Sequence, residues 1–143
     1  MSKTITAQDL DIAFEPSDEA GLFKWLLASF LMGKRISASI AAEAYRVIVV
    51  KHQRDTPRKL AHCSHRELVA MLGEARYSRY DESTAERLVL LANKLNDEYG
   101  GKVTTLHAQS ADRHEFEKRL AAFKGIGPKT VEIFMREARK VLY

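Results

Sequence analysis

The residues with the clearest chemical meaning form one short segment near the C-terminus, residues 124–130, which reads Lys-Gly-Ile-Gly-Pro-Lys-Thr. Its two glycines, Gly125 and Gly127, lack a Cβ, so they can adopt positive φ and let another backbone approach closely. Pro128 suits the first position of a following helix, where a missing N–H costs nothing. Such a turn presents backbone N–H groups and the positive end of a helix dipole. Both features suit a phosphate group.

Apolar residues at helical spacing flank this segment and predict two helices joined by a hairpin. They are Phe116, Leu120 and Phe123 before it, and Val131, Phe134 and Met135 after it. Ile126 is predicted to plug the loop into the groove between the two helices. Gly-x-Gly alone is equally typical of a helix end followed by a turn, but the Pro-Lys-Thr extension favours a phosphate-binding hairpin. The predicted contact residues are Lys124, Gly125, Ile126, Gly127, Lys129 and Thr130.

The elements that must position this hairpin are predicted to be helices. Capping residues followed by apolar residues at a spacing of about 3.6 indicate helix starts at Ser17, Ser37, Thr56, Ser64, Ser83 and Ser110. Glycine is predicted to end the first helix at Gly33, and residues 100–101 to end the helix opened by Ser83. Residues 102–105 are predicted to be an extended link, too short to form a sheet. The expected fold is all-α, a compact bundle of six or seven short helices.

One domain is predicted over residues 17–143, preceded by a separate N-terminal arm of residues 1–16. A chain of 143 residues is long enough for one modest core, and its composition of 45% apolar and 29% charged residues is that of a globular protein. The arm contains the apolar residues Ile5, Leu10, Ile12 and Phe14. Whether the arm packs on the domain is left open by the sequence.

The positive charge of the chain, +4 in total, is concentrated in two blocks. Residues 34–66 hold eight Lys and Arg against two Asp and Glu, and residues 112–143, which include the hairpin, hold eight against five. The cations considered for binding in the first block are Lys34, Arg35, Arg46, Lys51, Arg54, Arg58 and Lys59. If both blocks meet on one face, they form a stripe that can neutralise phosphates. An ordinary solvated helical surface is the alternative explanation.

Composition also limits the cofactors and the location that we expect. The single Cys63 cannot form an internal disulfide or supply a four-cysteine iron–sulfur cluster. His62 and His65 flank this cysteine, but no second cluster completes a tetrahedral metal site, so neither a metal nor another cofactor is predicted. No apolar run reaches the length of a membrane span, and no charged-then-apolar leader opens the chain. We therefore expect a soluble cytoplasmic protein that has no contact with membranes.

Residues 123–131, which read Phe-Lys-Gly-Ile-Gly-Pro-Lys-Thr-Val, resemble the helix-hairpin-helix of the endonuclease III-like (HhH-GPD) DNA glycosylases. The consensus of that family is Leu-Pro-Gly-Val-Gly-x-Lys-Thr-Ala. Residues 23–31 are similar to its first barrel helix, and residues 91–103 resemble its helix, glycine turn and link before the hairpin. The resemblance covers about residues 17–140. It implies a helical domain that binds double-stranded DNA and is related to base excision repair.

The same resemblance assigns roles to single residues. Lys129 matches the lysine of the bifunctional members, which attacks the sugar C1′ and forms a Schiff base. The family's essential aspartate follows the second hairpin helix and a further loop, whereas the fourteen residues after Lys129 contain no Asp. Lys34 matches the position of a side chain that the family inserts into the duplex, with Arg35 beside it. A helix end at Gly33 followed by solvated cations is the alternative for that pair.

Three functions are therefore open from the sequence. The first is a non-catalytic or partner-dependent DNA-binding protein that contacts the backbone through the hairpin. The second is a DNA glycosylase or abasic-site lyase that uses Lys129. The third is a helical protein-interaction domain in which the hairpin is only a tight turn. A protein partner that supplies the rest of the family fold is also left open.

Overall fold

The computed structural model describes residues 4–13 and 18–143. This part of the chain contains eight α-helices and no strand, so the prediction of an all-α fold is confirmed. The helices are α1 (Glu19–Met32), α2 (Ala38–Tyr45), α3 (Pro57–Ala61), α4 (His65–Glu74), α5 (Asp81–Tyr99), α6 (Val103–Ala108), α7 (Arg113–Ala121) and α8 (Pro128–Leu142). A 3₁₀ turn at Gln8–Leu10 precedes α1, and a π-helical segment at Arg46–Lys51 continues α2. None of the described helices combines the length and the apolar character that crossing a bilayer requires.

The core is organised around α1, which is apolar on almost every side and packs against α2, α6 and α8. A helix that is apolar all round is stable only when neighbours cover it. The indole Nε1 of Trp25 donates to the carbonyl of Phe134 at 3.1 Å, which ties α1 to α8 deep in the core. Helix α8 therefore rests on the most buried helix in the described part of the chain.

Helix α6 lies where an extended link was predicted, and this is why the structure has more helices than expected. The carboxylate of Glu19, in the first turn of α1, accepts the amides of Val103 at 2.6 Å and Thr104 at 2.8 Å. These amides belong to the first turn of α6 and have no partner within that helix. A residue 84 positions away thus stabilises the start of α6. No pattern local to residues 102–105 carries that information.

The predicted helix caps are confirmed at three positions. Ser37, Thr56 and Ser64 each accept a backbone amide of the first turn that follows, and Ser64 forms a complete capping box with Glu67. The left-handed conformation of residues 100–101 ends α5, as predicted.

Three other predicted helix starts lie elsewhere. Helix α1 is capped by Asp18, which accepts the amide of Gly21, while Ser17 lies outside the described residues. Helix α5 begins at Asp81, so Ser83, the predicted cap, lies inside it. Helix α7 is capped by Asp112, because the Ser110 hydroxyl donates backwards to the carbonyl of Leu106 at 2.8 Å. Serine and aspartate both cap helices well, so spacing alone does not choose between neighbouring candidates.

The described part of the N-terminal arm packs on the domain. Ala7, Leu10 and Ile12 are buried in the common core. The amide of Ala7 donates to the Glu137 carboxylate of α8 at 2.8 Å. Phe14, the fourth apolar residue considered in the arm, lies outside the described residues.

Tyr77 provides a test of how the end of α1 is held. Its ring is fully buried, and its hydroxyl donates to the carbonyl of Leu31 at 3.1 Å, in the last turn of α1, where carbonyls lack helical partners. Burial raises the pKa of Tyr77 to about 12, so the hydroxyl remains a donor at neutral pH. We expect Tyr77→Phe to lower the free energy of unfolding by about 1 to 2 kcal/mol, because the carbonyl of Leu31 loses its donor.

Urea unfolding followed by circular dichroism measures this difference. The matched control is Tyr80→Phe, since Tyr80 is an exposed tyrosine three residues away and should tolerate the change. A Tyr77→Phe variant as stable as the wild type would show that this hydrogen bond adds nothing to stability.

Candidate functional site

The turn between α7 and α8, residues 122–127, is a tight hairpin held by its own apolar residues. The side chains of Phe123 and Ile126 are buried, as predicted for a loop plugged between two helices. The amide of Ile126 donates to the carbonyl of Phe123 at 3.0 Å. This amide is therefore used inside the turn, and Ile126 stabilises the hairpin instead of offering its N–H to a ligand.

The two glycines of the hairpin have different roles. Gly125 has φ of 92°, a conformation that favours glycine, and a Cβ there would lie 2.9 Å from both Phe30 and Arg87. Gly127 has φ of −105° and is the N-cap of α8, so positive φ is found at only one of the two glycines. A Cβ on Gly127 would meet open space. Gly125 is thus required by the turn, whereas Gly127 faces solvent.

The first turn of α8 is open to an anion. Gly127 has no side chain that could accept a hydrogen bond, and Pro128 at the first helical position has no N–H. The amides of Lys129 and Thr130 have no acceptor within the described part of the chain. Helices α2, α3 and α4, in contrast, have a side-chain oxygen at this place. The positive end of the α8 dipole therefore points at solvent with two free donors.

This helix start borders an open surface depression of about 430 Å³, which we call the hairpin depression. Its lining residues are Gly33, Lys34, Gly125, Ile126, Gly127, Pro128, Lys129 and Thr130. The structure thus brings the predicted residue Lys34 next to the predicted hairpin, across more than 90 residues of sequence. Among its described lining residues there is no carboxylate.

The remaining predicted contact residues differ in their access to the hairpin depression. Lys129 is exposed and lines it, while Arg35 and Lys124 are exposed but lie outside its lining. Thr130 is buried, and its hydroxyl packs so closely on Gly33 that a Cβ there would lie 2.0 Å away. Thr130 can therefore offer its backbone amide to a ligand but uses its side chain to dock the hairpin onto the end of α1.

A second cation, Arg87 of α5, lies beside Lys34. The Arg87 side chain packs over the Cα of Gly125, and the Nζ of Lys34 lies 5.5 Å from the centre of the Phe30 ring. Burial lowers the pKa of the Lys34 ammonium, and the positive charge of Arg87 lowers it further. Neither cation has an ion pair with a carboxylate of the described chain. The fold therefore holds two positive charges together without a counter-ion.

Sequence reasoning did not identify Arg87. It lies in the segment of residues 67–111, which has more acidic than basic residues, and in the middle of a helix with no motif around it. The packing of α5 against the hairpin gives Arg87 its position, and no local sequence signal marks it.

Three cations of the first basic block have carboxylate partners. Arg46 pairs with Glu43 at 3.6 Å, Lys59 pairs with Asp55 at 3.1 Å, and Lys51 bonds to Glu74 of α4. Of the block, only Lys34 lines the hairpin depression. These three paired cations therefore fit the alternative explanation of the basic block, an ordinary solvated helical surface.

The residues around Cys63 have separate environments. Its thiol is buried and donates to the carbonyl of Lys59 at 3.8 Å, and burial raises its pKa. His65 bonds to Glu82, and His62 is exposed. The described residues contain no group of three potential metal-ligating side chains.

Comparisons with known proteins give no independent identification. The sequence matches no family model, no curated protein and, through its fold, no solved structure. The geometry of the hairpin depression is therefore the basis on which a function is proposed.

Proposed function

We propose that this protein binds the sugar-phosphate backbone of double-stranded DNA through the hairpin between α7 and α8. The observation that supports the proposal is the uncapped start of α8 beside two cations without counter-ions, Lys34 and Arg87. By its resemblance to the endonuclease III-like DNA glycosylases, the protein would act in or beside base excision repair. It would do so as a binding domain without the family's usual chemistry.

In this proposal a DNA phosphate occupies the hairpin depression. The amides of Lys129 and Thr130 donate to its oxygens, and Lys34, which lines the depression, neutralises its charge. Arg87 lies outside the lining, against Gly125, and adds positive charge from the α5 side. A bound phosphate also relieves the repulsion between the two cations. These contacts are to the backbone, so they position DNA without reading its bases.

Binding without catalysis fits the surroundings of Lys129. Lys129 is exposed in the first turn of α8, and no carboxylate lines the described depression. Borohydride trapping on abasic DNA tests the alternative directly. A covalent adduct that disappears in Lys129→Ala would replace the binding proposal by a lyase.

The binding proposal is tested by Gly127→Asp. The new carboxylate would accept the free amides of the first turn and repel a phosphate, so we expect at least a tenfold loss of affinity for a DNA duplex of about 20 base pairs. The fold should tolerate the change because a Cβ at this position meets open space. Aspartate is also a better N-cap than glycine and favours the helix dipole, so stability should rise by about 0.5 to 1 kcal/mol. Fluorescence anisotropy and thermal unfolding measure the two effects.

Two control variants separate charge from position. Gly127→Asn adds a capping side chain without charge and should lose less affinity than Gly127→Asp. Gly73→Asp adds the same charge in α4, where a Cβ also meets open space, and should bind DNA as the wild type does. Wild-type affinity in Gly127→Asp would exclude the start of α8 as the binding site. If the wild-type protein shows no DNA binding that weakens with salt, the proposal fails altogether.

A further inference from the structure

A second surface feature, the groove between α7 and α8, is not used by the proposed function. It has a volume of about 660 Å³ and starts at Pro128, which also borders the hairpin depression. Its lining consists of Arg113, His114, Glu117, Lys118 and Ala121 from α7, and Pro128, Val131, Glu132, Met135, Arg136 and Arg139 from α8. In each helix these positions repeat every three to four residues, so one stripe of each helix faces the groove. We call it the α7–α8 groove.

The α7–α8 groove has an apolar part. Ala121, the last residue of α7, is exposed, Val131 of α8 is half-buried, and Met135 is almost fully buried beneath them. Helix α8 has 15 residues, so the groove can follow a helical partner for about 22 Å at most. Amphipathic helices commonly bind in apolar grooves of this kind.

The charges of the α7–α8 groove are mainly positive. Arg113 is neutralised by Glu117 at 2.7 Å. Lys118, Arg136 and Arg139 have no ion pair in the described chain, and only Glu132 is an unpaired acidic residue of the lining. The net surplus of cations is complementary to an acidic partner.

We propose that the α7–α8 groove binds an acidic amphipathic helix of a partner protein. Its apolar side covers Ala121 and Val131, and its acidic residues pair with Lys118, Arg136 and Arg139. DNA fits this groove less well, because the apolar floor offers phosphates no donor and the carboxylates of Glu117 and Glu132 repel them. The groove therefore adds a protein-binding surface to the DNA-binding hairpin. It does not depend on the hairpin proposal, since all of its lining residues except Pro128 differ from those of the hairpin depression.

The test uses a fluorescein-labelled synthetic helix of about 15 residues, with leucine on one face and glutamate elsewhere. Two control peptides carry lysine in place of glutamate, or serine in place of leucine. We expect the full-length protein to bind the first peptide, with an affinity that falls as salt rises, and to bind neither control. Arg136→Glu combined with Arg139→Glu should weaken binding at least about tenfold. Val131→Asp should do the same, with circular dichroism and thermal unfolding confirming that each variant is folded.

The matched control is Arg66→Glu combined with Arg76→Glu, which changes the charge equally on exposed residues outside the groove. This variant should bind the peptide as the wild type does. If both double variants lose the same affinity for the peptide, net charge alone explains binding and the proposal is overturned. Binding of the lysine peptide would overturn it as well. The same variants are also titrated with duplex DNA. If Arg136→Glu with Arg139→Glu weakens DNA binding as strongly as changes at Lys34 and Arg87 do, the groove is a nucleic-acid surface instead.

Discussion

Replacing both Lys34 and Arg87 by glutamate is expected to weaken binding to duplex DNA by about 100-fold at moderate salt. Lys34 lines the hairpin depression, and Arg87 lies beside it against Gly125. We expect each of these cations to form a charge-assisted contact with a bound phosphate worth about 1.5 to 3 kcal/mol. Loss of both contacts at the lower end of this range already accounts for about 3 kcal/mol, or roughly two orders of magnitude in the dissociation constant. Neither Lys34 nor Arg87 has an ion pair in the described chain, so replacing them leaves no carboxylate without its partner.

The salt dependence of DNA binding is a second measurement that tests the variant with Lys34 and Arg87 replaced by glutamate. Each phosphate neutralised by the protein contributes about 0.9 to the slope of log affinity against log salt, so losing two contacts should reduce the slope by nearly two. The matched control is Arg46→Glu combined with Lys59→Glu. It makes the same change in net charge at cations that already have carboxylate partners. If the control loses as much affinity as the Lys34 and Arg87 variant, net charge drives binding and the hairpin depression is not the site.

Gly33→Ala is expected to destabilise the protein by about 2 to 3 kcal/mol, because it overpacks the contact on which the hairpin rests. The added Cβ would lie 2.0 Å from Oγ1 and 3.2 Å from Cβ of Thr130. The φ of Gly33 is −76°, which alanine adopts freely, so the cost comes from this contact and not from the backbone. The start of α8 must move away from the end of α1 to make room. DNA binding should therefore fall as well, even where the protein is fully folded.

A double-mutant cycle with Thr130→Ala isolates this contact. Removing the hydroxyl should recover about 1 kcal/mol or more of the loss, since directly touching residues couple by that amount. Gly73→Ala, in the last turn of α4 where a Cβ meets open space, should leave stability unchanged or raise it by up to about 1 kcal/mol. Additive effects of Gly33→Ala and Thr130→Ala in chemical unfolding would show that the two residues do not press on each other.

Both predictions concern the region where the hairpin packs on the end of α1. Phe30 and Gly33 lie at the end of α1, the most buried helix, and they receive the hairpin from one side. Arg87 packs on Gly125 from α5. The groups that we propose to contact a phosphate are thus held by packed helices, which would keep the cost of ordering them on binding low. Lys34 directly follows Gly33. The contact between Gly33 and Thr130 therefore also sets the distance from Lys34 to the amides of Lys129 and Thr130.

The helical fold and the hairpin were predictable from the sequence because their signals are local. Ser37, Thr56 and Ser64 each precede a run of apolar residues at helical spacing, and a cap acts only on the turn that follows it. Ile126 is apolar between two glycines that bend the chain, so its burial follows from the hairpin itself. Helix starts were missed where two capping residues lie close together, as at Ser110 and Asp112.

The features that only the tertiary structure determines depend on contacts between residues that are distant in the sequence. Glu19 caps α6, and the contact is not visible in residues 102–105, where an extended link was expected. Arg87 reaches the hairpin because α5 packs beside it, although its own segment is acidic overall. The sequence left open whether the first basic block is a binding surface or an ordinary solvated surface, and the structure shows that Arg46, Lys51 and Lys59 bond to carboxylates. Spacing along the chain determines helices and turns, whereas which charges lack a partner depends on how the helices pack.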